Sequence, residues 1–187
     1  MTDPQPGRIE IEPAVATIAS GSRAVLVDAF RQYRDELFGF LCRSTRDDAA
    51  AEDLLQETFL RLAKEIDAGR TPEQLRAWLF RVASNLAISR GRRRATVVEW
   101  MRRHGRDTAL RVVESPESDV IGRERVSALE AALALLPADA RTALLLSANG
   151  FSGEEIAATI GRSHAATRTL LSRARVRMRV ELQEHRG

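Results

Sequence analysis

The stretch FSGEEIAATIGRSHAATRTLLSRARVRMR, residues 151–179, decides the fold. Ser152-x-x-Glu155 is a capping-box pattern, in which a hydroxyl and a carboxylate each satisfy a backbone N–H at a helix start. It predicts a helix over Gly153–Ile160. Gly161 permits a tight turn, and Ser163 can cap a last helix that continues to about Leu182. A helix, a short turn with glycine and a longer basic helix together make a helix-turn-helix pattern.

With the last helix starting at His164, Thr167, Leu171, Ala174 and Met178 fall on one face and are expected to pack inward. His164, Arg168, Thr169, Ser172, Arg173 and Arg175 fall towards the other side. The N-terminal turns of a recognition helix meet base edges, so Arg168, Thr169, Ser172 and Arg173 are best placed to read sequence. Arg162, His164 and Arg175 complete this candidate DNA-binding set, while Arg177 and Arg179, farther along, suit phosphates. Residues 162–179 hold six arginines and no acid, so the i, i+4 acid partners of an ordinary solvated basic helix are missing within that span.

Upstream, Val126, Leu129, Ala132, Leu133 and Leu136 form an apolar stripe ending at Pro137. Ala138–Ala148 reads as a short apolar helix stopped by Asn149 and Gly150. This C-terminal unit is expected over residues 121–187. Residues 95–120 lose the helical pattern apart from a helical start through Trp100 and Met101, and read as a flexible linker.

Residues 23–94 read as a three-helix bundle. Phe30, Tyr33, Leu37 and Leu41 recur at helical spacing, flanked by Phe38 and Phe40. Leu54, Leu55, Phe59, Leu62 and Ile66 make a second stripe, broken at Gly69. Thr71-Pro72-Glu73-Gln74 has the form of a capping box with proline at the first helical position. The helix expected after it buries Leu75, Trp78, Leu79, Val82 and Leu86, with a stop at Gly91. Residues 1–22 read as a flexible leader with neither a basic start nor an apolar signal core.

Charge is unevenly spread. The formal net charge is +3. Yet residues 28–67 carry ten acids against six bases, and residues 90–111 carry eight arginines against two acids. Two separate basic blocks suggest two contacts with a polyanion. Lys64 is the sole lysine, leaving 28 of the 29 basic residues as arginine. Codon bias in a GC-rich genome accounts for arginine replacing lysine, but not for the clustering. Cys42 stands alone, which fits a reducing cytoplasm and a core position. No apolar run approaches a membrane span, so direct membrane insertion is not expected. His104, His164 and His185 lack metal-ligand spacing, and no nucleophile, paired-carboxylate or phosphate-loop pattern occurs. Neither a catalytic site nor a cofactor is therefore expected.

Four blocks resemble one known family: YRDELFGFL, AEDLLQETFLRL, LRAWLFRVASNLAISRGRRR and LPADARTALLLSANGFSGEEIAATIGRS followed by LLSRAR. In that order they resemble bacterial RNA polymerase sigma factors of the extracytoplasmic function (ECF) group. The resemblance implies an all-α fold of two small helical domains joined by a flexible linker. The first would bind core RNA polymerase and the promoter −10 element, and the second would read the −35 element. It carries over core-polymerase docking to Asp53, Gln56 and Glu57, which share the face opposite Leu55 and Phe59. It carries over −10 contacts to Asn85, with Arg81, Ser84 and Ser89 as neighbours, and phosphate contacts to Arg92, Arg93 and Arg94. The loop 67–70 resembles one that receives a flipped base. Trp78 offers a stacking surface, but its place on the apolar stripe favours a core role.

An anti-sigma partner, often membrane-bound, is implied as well, with the chain itself cytoplasmic. Many relatives carry Gly-Thr-Val where this chain has Ala165-Ala166-Thr167, and a basic residue where it has Leu170. No base preference at −35 therefore carries over. The alternative is a helix-turn-helix regulator that acts without polymerase, using the bundle as a sensor. An acidic helix together with the basic block ending at Arg94 argues against it, because a sensor needs neither. An arginine-rich helical hydrolase is a third, remote alternative.

Overall fold

The structure is a computed structural model that describes residues 20–103 and 120–184. The leader 1–19 and the segment 104–119 lie outside the described residues, so the expected linker is described only at its ends. Seven helices and no strand occur among the described residues: α1 (Ser20–Thr45), α2 (Asp48–Asp67), α3 (Leu75–Arg103), α4 (Val120–Ala134), α5 (Ala138–Ala148), α6 (Gly153–Ile160) and α7 (His164–Glu184).

Helices α1, α2 and α3 form the first module around Leu37, Phe40, Leu41, Leu55, Phe59, Leu62, Leu79 and Phe80, all fully or almost fully buried. Phe30 meets Phe59 edge-on at 5.0 Å between ring centres, and Phe40 meets Phe80 at 5.2 Å. Such pairs add about 0.5–1.5 kcal/mol beyond area burial. Asp47 starts α2 by accepting from the Ala50 N–H at 3.0 Å. Gly69, at φ 72°, supports the turn after α2.

The second module holds α4 to α7. Ser152 and Glu155 form the expected reciprocal cap, with Ser152 N–H donating to Glu155 at 2.8 Å and Glu155 N–H to Ser152 Oγ at 3.2 Å. Gly161 ends α6 in the left-handed region at φ 67°. Ser163 Oγ accepts from Ala166 N–H at 3.2 Å and caps α7. Thr167, Leu171, Ala174 and Met178 are buried, as the spacing requires.

Several sequence expectations are corrected. Helix α3 starts at Leu75, not at Pro72, and the Trp78 N–H donates to the Gln74 carbonyl. Thr71, Glu73 and Gln74 are exposed, so no apolar burial supports a turn of helix there, whereas Leu75 packs against the core. Gly91 does not stop α3, which runs on to Arg103. A mid-helix glycine costs only about 1 kcal/mol, and packing at this position offsets it. A methyl group on Gly91 would lie 2.6 Å from Ala138 Cβ, so only glycine lets α5 approach this closely. The buried face of α3 includes Phe80, Ala83, Ser84, Ala87 and Ile88 beside Leu79, while Leu75, Trp78, Val82 and Leu86 are half-buried. Leu129 is 40% exposed, while Ala132, Leu133 and Leu136 of the expected stripe are buried. Cys42 is half-buried, and burial, then its hydrogen bond with Asp48, pushes its thiol up to about 12.

The two modules pack together. α5 lies against α1 and α3, α6 lies against α3, and the buried apolar residues of both modules form one cluster. Phe80 and Phe151 meet at 5.1 Å across the junction. Arg141 of α5 donates to the Ser44 carbonyl at the end of α1 (3.1 Å) and to its own Leu136 carbonyl (3.1 Å).

Candidate nucleic-acid interface

All six arginines of residues 162–179 are exposed, while the interleaved Thr167, Leu171, Ala174 and Met178 are buried. One helix therefore anchors through a narrow apolar stripe and turns its guanidinium groups outward. The His164 ring lies close over Gly153, where a methyl group would stand 2.9 Å from Nε2. His164, Arg168 and Arg175 line one cleft with Ser147, Phe151 and Gly153. Arg175 donates to Ser147 Oγ at 3.0 Å, so part of its fork is already engaged. Arg162 is held by Asp139 at the start of α5. Thr169 and Ser172 are exposed, and the Thr169 hydroxyl donates back to the Ala165 carbonyl at 3.1 Å. Arg168 and Arg173 keep the reach a base-reading or phosphate-reading group needs.

In the first module Arg81, Asn85 and Ser89 are exposed on α3, as are Arg92, Arg93 and Arg94. Ser84 is fully buried, with no hydrogen-bond partner for its Oγ, so it is removed from the candidate contacts. Trp78 is neither core nor free platform. It is half-buried and lines a cleft with Arg70 and Arg81, closed on the other side by Phe151, Glu155 and Thr159 of the second module. The loop after α2 is tied by Arg70, which donates to both oxygens of Glu65 at 2.9 and 3.2 Å. That fork holds the Glu65 carboxyl below its usual range.

Arg94 parts company with its neighbours. It lines a cavity at the module junction together with Arg46, Arg90 and Arg141. The sequence did not mark Arg46 or Arg141, whose role depends on contacts between segments far apart in the chain.

The acidic candidates lie on α2. Asp53 and Gln56 are exposed and Glu57 is half-exposed, opposite the buried Leu55, Phe59 and Leu62. Glu57 accepts from Arg61 at 2.8 Å in a surface i, i+4 pair. Such a pair is worth about 0–1 kcal/mol and is easily surrendered to a partner. Among the described residues no group of three His, Cys, Asp or Glu side chains could hold a metal ion, and no helix is long and apolar enough to cross a membrane.

Comparison with known proteins matches residues 29–97 to sigma-70 region 2 and residues 127–178 to sigma-70 region 4. The chain is 34% identical over 166 residues to the RNA polymerase sigma factor CarQ of Myxococcus xanthus, covering 88% of this chain and 92% of CarQ. The chain belongs to the ECF RNA polymerase sigma factors. This sigma factor is also 32% identical over 173 residues to the ECF sigma factor SigE of Mycolicibacterium smegmatis, covering 89% of this chain but 66% of SigE. Its fold is similar to the sigma factor RpoE in a co-crystal structure with the anti-sigma factor NepR from Bartonella quintana. That likeness has a TM-score of 0.61 at 27% identity, over 88% of this chain and 98% of that one. The region 2 match ends within α3 and the region 4 match runs from within α4 to within α7, so the acidic face and the α3 basic face fall in the first and the α7 arginines up to Arg177 in the second.

Proposed function

We propose that this sigma factor docks on core RNA polymerase through Asp53, Gln56 and Glu57 and directs it to promoters as a subunit with no reaction of its own. The outward display of every arginine from Arg162 to Arg179 carries the reading, because so much like charge on one exposed surface attracts a polyanion. Arg168, Thr169, Ser172 and Arg173 read the −35 element. Arg162, His164 and Arg175 steady the helix against its neighbours and reach phosphate. Arg81, Asn85, Arg92, Arg93 and Arg94 take the −10 strand. An Asn side chain can pair with a base edge through two bonds, and the arginines supply charge. The functional modules are taken as 23–94 and 121–187, with the α3 extension to Arg103 belonging to the strap between them.

The packed arrangement of the modules suits the free chain. Elements centred about 25 base pairs apart lie roughly 85 Å apart at ~3.4 Å per step. A compact chain of this length has a radius of gyration of about 16 Å and a width of about 40 Å. Reading both elements at once therefore requires the junction to open. Opening also frees the cleft where Phe151 and Glu155 face Trp78 and Arg81. An anti-sigma protein that holds the modules together is the regulatory partner, by analogy with the RpoE complex, and the chain works in the cytoplasm.

The test combines purified core polymerase, this chain and a promoter library. Transcripts with defined starts are expected from the native chain and not from the double variant Asp53→Lys, Glu57→Lys. DNA binding that takes no notice of polymerase, or full activity of the double variant, defeats the proposal.

A further inference from the structure

The junction cavity encloses about 330 Å³ and is lined by Arg46, Arg90, Arg94 and Arg141 with Ser44 at its wall. Its guanidinium groups come from three segments: the turn between α1 and α2, the middle of α3 and the first turn of α5. No acidic side chain lines it, although Asp47 stands 3.7 Å from Arg90 at its edge and Glu130 lies close enough to act on Arg46. Gathering like charges is unfavourable unless an anion joins them. Burial first, and then Arg46 and Arg94, pushes Arg141 down to about 10.

Two polar atoms are left over. Ser44 is only 6% exposed, and its Oγ has no partner within the protein. Arg141 spends Nη1 and Nη2 on carbonyls, yet its buried Nε has none. Native proteins rarely leave such groups unmatched, because each costs about 1–3 kcal/mol. The start of α5 adds to the same field. Its cap residue, Pro137, has no capping side chain, and Leu136, Pro137 and Ala138 line the cavity, although Asp139 in the same turn accepts from the Ala140 N–H at 2.9 Å and offsets part of the positive end.

We propose that this cavity binds a small oligophosphate, the di- or triphosphate group of a nucleotide or its inorganic equivalent, clasped between the two modules. Several closely spaced negative charges are needed to match guanidinium groups arriving from three sides. The planar fork of arginine favours phosphoryl oxygens, which accept two bonds at once. The volume falls at the low end for small-ligand pockets, enough for a short phosphate chain with any nucleoside extending outward. DNA backbone is the other source of phosphate, but the α5 wall carrying Arg141 encloses the site only while the modules stay together. A ligand that touches both modules favours the closed form by its differential affinity for that form. It also occupies Arg94, one of the arginines assigned above to the promoter, so on that reading the ligand and the −10 strand compete. Binding itself does not depend on the promoter reading.

Calorimetric titration of the full chain with inorganic tripolyphosphate at physiological salt tests the site without polymerase. Saturable uptake of one equivalent is expected, with a Kd on the order of 10 µM. Arg46→Gln and Arg94→Gln should each weaken it by about tenfold or more. Arg31→Gln, which removes the same charge from an exposed position on α1, should leave it nearly unchanged. Arg141→Gln also loosens the junction, so Arg46→Gln is the deciding variant. Absence of saturable uptake overturns the proposal, as does an equal loss from Arg31→Gln and Arg46→Gln, which signals general ion exchange. A ten-nucleotide single strand is titrated in parallel. If it displaces tripolyphosphate and depends on Arg46 and Arg94 to the same degree, the cavity is a DNA-backbone site and the small-ligand proposal falls.

Discussion

The guanidinium carbon of Arg76 lies 5.0 Å from the centre of the Phe151 ring and 4.9 Å from that of the adjoining Phe80 ring. The same fork binds Glu36 on α1 and donates to the Asn149 carbonyl at 3.1 Å. A single side chain on α3 thus gathers α1 and the turn before α6. Its hydrogen bonds to Glu36 raise its already high pKa, so it stays charged at any working pH. The exposure of both partners limits the ion pair to a modest contribution, and the two neighbouring rings add cation–π attraction.

Removing Phe151 should therefore loosen the junction more than either module. Phe151→Ala is expected to cost about 2 kcal/mol, less than the roughly 3–5 of a fully buried phenylalanine, because the ring is half-buried. Solution scattering should show a larger radius of gyration while circular dichroism stays helical. An unchanged radius would mean that the ring does not hold the modules together.

Gly91 offers a separate way to pry the modules apart. Gly91→Leu removes a helix-weakening residue from α3, a gain of up to about 1 kcal/mol in the helix itself. It also drives a Cβ to 2.6 Å from Ala138 Cβ, a rigid neighbour that can yield only by moving α5. Helix content should hold or rise while the radius of gyration grows. A variant as compact as the native chain would show that the close approach at Gly91 is dispensable.

The cap at Ser152 makes stability depend on pH. The Ser152 N–H, and then its hydroxyl, hold the Glu155 carboxyl below its usual range. A carboxyl with a lowered folded pKa contributes stability that is fully present above the ordinary glutamate value of about 4.3, and loses it as pH falls through the lowered value. Glu155→Ala, which removes the carboxylate that accepts from the Ser152 N–H, should destabilise the chain at neutral pH, and the difference from the native chain should shrink on acidification. Urea melts at pH 7 and pH 3 measure it, and a constant difference would contradict the account.

Two arginines on α7 should separate base reading from charge. Arg168 lies in the first turns, beside the cleft with His164 and Gly153, and Arg177 lies two turns or more beyond. Arg168→Ala is expected to relax −35 specificity at about 1–3 kcal/mol, while Arg177→Ala weakens all sequences alike and lowers the salt slope by about 1. Footprint titrations against matched and mismatched promoters at two salt concentrations distinguish them. Equal, sequence-blind losses from both would reverse the orientation assigned to the helix.

Much of α6 and α7 is legible in the residues themselves. Ser152, Glu155, Gly161 and Ser163 set the helix ends by bonds spanning no more than about one turn. Thr167, Leu171, Ala174 and Met178 mark a buried face through spacing alone, and the exposed arginines follow by exclusion. The acidic outer face of α2 is legible for the same reason. The α3 boundaries were not. Thr71 to Gln74 carry a good local cap but no burial to reward a turn of helix, and Gly91 resembles a stop until Ala138 is placed against it.

Amino-acid order alone determined the helices, the direction each turns its charges, and the family they belong to, because those depend on neighbours within a turn or two. Tertiary structure decided how the modules meet and what the meeting builds. Arg76 reaches Glu36 across 40 residues and Asn149 across 73, and Arg141 reaches Ser44 across 97. Periodicity within one helix carries no information about pairs so far apart, so the arginine-lined cavity exists only once the chain has closed on itself.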